Sequence, residues 1–148
     1  MDRVTLHGVD LVDHFDEVPN GLTCLELETA SLHDWRSKRK YDLITCVHGL
    51  HYVGDTLSLL ERAVGWLTTD GMFLANFDPA NLRQEDGRPL GRRVVRRLRD
   101  CGFTYNPRRH LLTFRGARSV SLGFRYAGAD DTAGPNYTGQ EAVDSCYL

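Results

Sequence analysis

Residues 41–53, Tyr41-Asp42-Leu43-Ile44-Thr45-Cys46-Val47-His48-Gly49-Leu50-His51-Tyr52-Val53, change character halfway. Tyr41 to Val47 is mostly apolar, rich in β-favouring types and too short for a full helix. That pattern predicts a strand buried on both faces, as in a parallel sheet covered by helices. His48 to Val53 then breaks the run with a glycine and two histidines. Ligands of open α/β sheets bind just past the carboxyl ends of the strands, so this segment is the first place to look for a site.

Upstream, Arg3 to Val9 alternates and carries β-branched residues, which predicts a strand ending at Asp10. Leu11 to Phe15 reads as the start of a short helix, stopped by Val18-Pro19-Asn20-Gly21. Leu22 to Glu28 is a second strand, and Ser31 is placed to cap a short helix through Trp35. Downstream, Asp55 is an N-cap. Leu57, Leu60, Ala63, Val64 and Leu67 recur at helical spacing, and Thr69-Asp70-Gly71 is the stop. Met72 to Phe77 is another strand, and residues 80–89 form a polar loop. Leu90, Val94, Val95 and Leu98 make the stripe of a helix ending at Cys101-Gly102. His110 to Phe114 and Ser119 to Tyr126 read as an antiparallel hairpin joined by residues 115–118. From 128 to 148 the chain has no periodicity. Its residues 129–140 read equally as a disordered end or as a binding loop or lid. The alternation of strands and helices argues a parallel sheet with an antiparallel edge.

The chain has 148 residues, 41% apolar and 26% charged, which fits one globular domain able to bury a core. A net charge of −2 gives no bulk attraction to nucleic acid or anionic membrane. No apolar run is long enough for a membrane span and the N-terminus lacks a signal-peptide core, so the expected location is cytoplasmic. Cys24, Cys46, Cys101 and Cys146 are far apart and read as buried free thiols rather than disulfides or a zinc site.

Several residues carry chemistry in this frame. Asp10, at a strand's carboxyl end, can accept hydrogen bonds from both hydroxyls of a ribose, or serve as a helix N-cap. Glu28-Thr29-Ala30-Ser31-Leu32 can meet an adenine amino group, though a plain strand-to-helix turn accounts for it as well. His48 and His51 are candidates for a general base or for ligand-wall contacts. A metal is disfavoured, because His110 is distant in sequence and no H-E-x-x-H occurs. Arg88, Arg92, Arg93, Arg96, Arg97 and Arg99 make a basic helix face, read as solvated, with an anionic partner as the alternative.

Three segments together resemble the class I S-adenosylmethionine-dependent methyltransferases. His7-Gly8-Val9-Asp10-Leu11 resembles the strand whose terminal acid holds the cofactor's ribose. Residues 41–53 resemble the "(F/Y)-D-L-(I/V)" strand and its loop, and residues 67–76 the "L-x-P-G-G-x-(L/F)" turn and fifth strand. The likeness spans roughly residues 3–126. It implies an α/β fold: a Rossmann-like methyltransferase sheet with a C-terminal antiparallel hairpin, in which the first strand and Gly-rich loop are missing. It divides the chain into a partial methyltransferase domain, 1–127, and an irregular tail, 128–148.

The resemblance implies S-adenosyl-L-methionine as cofactor. Asp10 and Leu11 would lie at the ribose, Thr29, Ala30 and Ser31 near the adenine, and His48, Gly49 and Leu50 near the methionine end. His51 or His48 would be the catalytic base. Thr29 stands where the family usually has Asp. The family's first strand sits mid-sheet, so an N-terminally shortened chain is expected to need a homodimer or a further N-terminal segment to complete the sheet. The implied substrate is a small-molecule methyl acceptor. No D/N-P-P-Y/F follows the central strand, so nucleic-acid bases are not indicated. A nicotinamide-dependent reductase is the rival enzyme, but G-x-G-x-x-G is absent. A non-catalytic remnant or interaction module is the other alternative.

Overall fold

The computed structural model describes residues 3–148. The chain divides into two compact units at Arg36/Ser37, whereas the resemblance implied a division at 127/128. In the first unit, β1 (Leu6–Asp10) and β2 (Leu25–Thr29) pair in parallel, with Leu6 opposite Leu25 and Asp10 opposite Thr29. Gly8 lets them approach, since a Cβ there would lie 2.8 Å from a Leu27 methyl. The His7 imidazole meets the Glu28 carboxylate at 3.2 Å and the Trp35 ring edge-on at 5.6 Å. Residues 11–15 form no helix. Ser31 starts only a single turn, with Asp34 and Trp35 N–H groups donating to its carbonyl.

The second unit holds a four-stranded sheet ordered β3-β4-β7-β6. Its strands are β3 (Tyr41–Cys46), β4 (Leu67–Asn76), β6 (Thr104–Asn106) and β7 (Leu111–Arg115). β3 and β4 are parallel, and β7 runs antiparallel to both β4 and β6. The expected hairpin is therefore wrong in its partner. β7 pairs with β6 before it through a turn at 107–110, and residues 116–125 form no strand.

β3 is an edge strand and is not buried on both faces: Leu43 is 56% exposed, and Val47, just past its end, 71%. The expected stop at Thr69-Asp70-Gly71 also fails as a break. β4 begins at Leu67 and bulges there, since Tyr41 faces Leu67 while Leu43 already faces Met72. Gly71 permits the bulge, because a Cβ would lie 2.8 Å from the Tyr41 carbonyl oxygen.

Helix α1 (Thr56–Gly65) starts where expected. Asp55 accepts from the Ser58 N–H at 3.2 Å, and Leu57, Leu60, Ala63 and Val64 are buried. α2 (Arg92–Asp100) buries Val94 and Leu98 and ends at Cys101, with Gly102 at φ 103°. Phe73, Phe103 and Phe114 form the aromatic centre of the core, with Phe103 and Phe114 ring centroids 4.7 Å apart.

The segments read as loop and irregular tail form a second sheet. β5 (Leu82–Gln84), β8 (Tyr126–Asp130) and β9 (Asp144–Tyr147) pair in the order β5-β9-β8. These strands are short and lack alternation, so only their pairing reveals them. All four cysteines are free thiols, half-buried rather than buried. No helix among the described residues is long and apolar enough to cross a membrane.

Candidate functional site

The expected site residues fall into two groups, one in each unit. In the first unit Asp10 ends β1 and Thr29 faces it across the ladder. The Asp10 carboxylate is exposed; one oxygen accepts the Val12 N–H at 3.2 Å. This is a short local turn, not a helix cap. The Ala30 N–H is committed to the Asp10 carbonyl at 2.8 Å. Thr29 and Ser31 are exposed and Leu11 is solvent-facing.

In the second unit the chain leaves β3 through His48, in the left-handed region at φ 61°. A non-glycine residue there carries local strain. The kink turns Gly49–Tyr52 into a single 3-10 turn. Gly49 is required, since a Cβ would sit 2.8 Å from the Cys46 sulfur. Leu50 is 3% exposed and belongs to the core, so its side chain forms no open wall. Burial pushes the Cys46 thiol up, which argues against a thiolate nucleophile.

His51 is the centre of the site. It is 3% exposed, and its Nε2 has no hydrogen-bond partner. Its ring stacks toward His48 at 6.1 Å and meets the edge of Tyr137 at 5.5 Å. Tyr137 in turn stacks on His110 at 3.7 Å, nearly parallel. His48 Nδ1 and His110 Nδ1 are also buried without partners. His110 arrives from the turn before β7, itself at φ 49°. Its carbonyl accepts the Phe77 N–H at 2.8 Å, which ties that turn to the end of β4. Asp78 follows β4 and accepts the Ala80 N–H at 3.0 Å. The carboxyl ends of β3 and β4 thus deliver His48, His51 and Asp78 to one place, and antiparallel β7 begins there with His110.

Tyr137 comes from the loop between β8 and β9. That loop is fastened by the Val143 N–H to the His51 carbonyl at 2.7 Å and by the Tyr52 hydroxyl to Gln140 at 2.7 Å. The segment read evenly as disorder or lid is an ordered wall of this site. Sequence reasoning set His110 aside because of its distance and did not single out Tyr137 or Asp78. The mixed Gly, Asn and aromatic composition of the tail was the available signal.

Burial lowers the His51 pKa below 6.5; Asp78 opposes this, and His48 and His110 reinforce it. His51 is therefore neutral at pH 7 and able to take a proton at Nε2. Tyr105 is pushed up to about 12 by burial, with Asp78 and Tyr137 adding to it, and donates to the Phe77 carbonyl at 3.4 Å. Among the described residues no group of three His, Cys, Asp or Glu is arranged to hold a metal ion.

A stability consequence follows from His51. Its folded pKa lies below the unfolded value, so the unfolded chain binds more protons as pH falls. The contribution is intact above pH 6.5 and is lost progressively below it. Urea melts across that range should show stability rising with pH, and the slope should shrink in His51→Leu. An unchanged slope in the variant would remove His51 as its source.

Comparison with protein-family models, with curated proteins and with solved structures finds no match.

Proposed function

We propose that the chain is a methyltransferase-like protein that transfers a methyl group from S-adenosyl-L-methionine to a small-molecule acceptor. The observation that carries the reading is the strand order β3-β4-β7-β6. The strand matched to the family's fifth lies between a parallel neighbour and the antiparallel strand of a closing hairpin, in keeping with the resemblance. The parallel β1–β2 pair, with Asp10 at its carboxyl end, adds to it.

The Asp10 carboxylate fits a ribose diol: it is exposed, and only one of its oxygens is engaged, by one backbone N–H. Thr29 and Ser31 would offer exposed hydroxyls beside it, while the Ala30 N–H is already engaged. Leu11 would lie on the ribose side. His48 and Gly49, with the Leu50 backbone, would line the methionine end. The cofactor supplies an electrophilic methyl on a positively charged sulfur. His51 Nε2 would take the acceptor's proton and so free its lone pair for the methyl. The rings of His110 and Tyr137 would orient the acceptor.

Calorimetric titration of the full chain with S-adenosyl-L-methionine tests the reading. Saturable binding is expected, weakened about tenfold or more in Asp10→Ala, the scale of one hydrogen bond to a charged group. A folded chain that gives no binding heat, or an Asp10→Ala variant with undiminished affinity, would leave the inherited-shape alternative standing.

A further inference from the structure

Three ring nitrogens in one cluster, His48 Nδ1, His51 Nε2 and His110 Nδ1, are buried and unpartnered. Buried polar atoms are overwhelmingly paired, and those that are not call for a reason. These three lie on one chain of ring contacts, His48 to His51 at 6.1 Å, His51 to Tyr137 at 5.5 Å and Tyr137 to His110 at 3.7 Å. His51 is 97% buried by its 3% exposure, so this is a built site rather than a surface coincidence.

Charge decides what the site accepts. Asp78 is the acidic side chain that acts on His51, Tyr105 and Tyr137; His48 and His110 also act on His51, and no lysine or arginine is among the groups that act on the three. Arg108 and Arg109 precede His110, but both are exposed. An anionic ligand would face the Asp78 carboxylate with no lysine or arginine to balance it. Acceptors dominate: a carboxylate, imidazole nitrogens that can each present a lone pair, and electron-rich ring faces. A ligand that donates several N–H bonds and carries one positive charge satisfies all of them.

We infer that the cluster of His48, His51, His110, Tyr137 and Asp78 binds a protonated amine. The ammonium pairs with the Asp78 carboxylate, donates to imidazole nitrogens and rests against the aromatic walls. Binding of the amine does not depend on methyl transfer. That the amine is the methyl acceptor does rest on the reading above, with His51 removing the proton that frees the nitrogen lone pair.

The test needs no cofactor. The imidazole nitrogens of the ¹⁵N-labelled full chain are followed by NMR during titration with benzylamine, benzyl alcohol and benzoate at neutral pH. Saturable shifts at His51 and His110 are expected with benzylamine, at an affinity about tenfold above benzyl alcohol, as befits one charge-assisted contact. Asp78→Asn should bring the amine down to the alcohol's level and leave the alcohol unchanged. Asn retains a side-chain oxygen for the Ala80 N–H, so the local turn survives. No saturable shift with benzylamine, equal or tighter binding of the alcohol or benzoate, or amine binding undiminished in Asp78→Asn would each overturn the inference. Failure here with S-adenosyl-L-methionine binding intact would remove the amine alone; the converse would remove the methyltransferase reading alone.

Discussion

A chain ended at Ala127 should lose cooperative folding of its second unit, although periodicity alone marks that point as the end of the domain. Deletion removes β9, the middle strand of the β5-β9-β8 sheet, and most of β8. Tyr147 is 1% exposed, and its ring packs edge-on against Phe124 and Tyr126. Its hydroxyl accepts the Leu57 N–H at 2.9 Å and donates to Asp55 at 3.1 Å, which fastens the first turn of α1. Ser145 is fully buried against the Thr56 hydroxyl at 3.1 Å. Asp144 pairs with Arg83 at 2.6 Å and accepts from Asn81 at 2.9 Å.

Losing one large aromatic side chain from a core costs about 3–5 kcal/mol. Loss of the Asp144 partner of Arg83, the Ser145 partner of Thr56 and the Tyr147 acceptor of the Leu57 N–H adds to that. Together these approach the whole stability of an ordinary domain, about 5–15 kcal/mol. Circular dichroism should show a broad, non-cooperative melt. A truncated chain that melts cooperatively within a few degrees of the full one would refute the role given to the tail. Tyr147→Phe isolates the hydroxyl and removes its two bonds, to the Leu57 N–H and to Asp55. It keeps the ring and leaves the buried Leu57 N–H without its acceptor, an expected loss of about 1–3 kcal/mol.

Replacing His51 with Leu should stabilise the protein by about 1–3 kcal/mol, the scale of burying a polar atom without a partner. Most core substitutions do the opposite. Here the native side chain holds an unpartnered Nε2 at a position 3% exposed, beside two further imidazoles with the same defect. Leu fills comparable volume, and the backbone bond from the Val143 N–H to the residue 51 carbonyl is retained. The same substitution should abolish the benzylamine shift at His110. Stabilisation with loss of binding is the signature of a residue held for function at the expense of stability. A His51→Leu variant that unfolds more easily would instead make His51 a structural residue whose ring supports the loop around Tyr137.

The local features of this fold were legible in the residues. The apolar spacing of 57–67 and the Asp55 cap specify α1, because helix periodicity and capping act over a few residues. The stripe Val94–Leu98 and the Cys101-Gly102 stop specify α2 on the same grounds. Strand runs ending at Asp10 and near Cys46 and Asn76 were also evident, and so was the polar break at His48. These are short-range facts.

What only the tertiary structure decided is which strands pair. A strand's sequence states that one face is apolar, not which neighbour covers it. Hence Leu43 and Val47, read as core, lie on an exposed edge, and β7 turns back onto β6. Hence too β5, β8 and β9, too short to show alternation, form a sheet across more than 60 residues. The site follows the same rule. His48 and His51 are adjacent in the chain, but His110 and Tyr137 reach them only because β7 starts where β3 and β4 end and the β8–β9 loop is tied to the His51 carbonyl. Long-range pairing sets that convergence, and no local pattern encodes it.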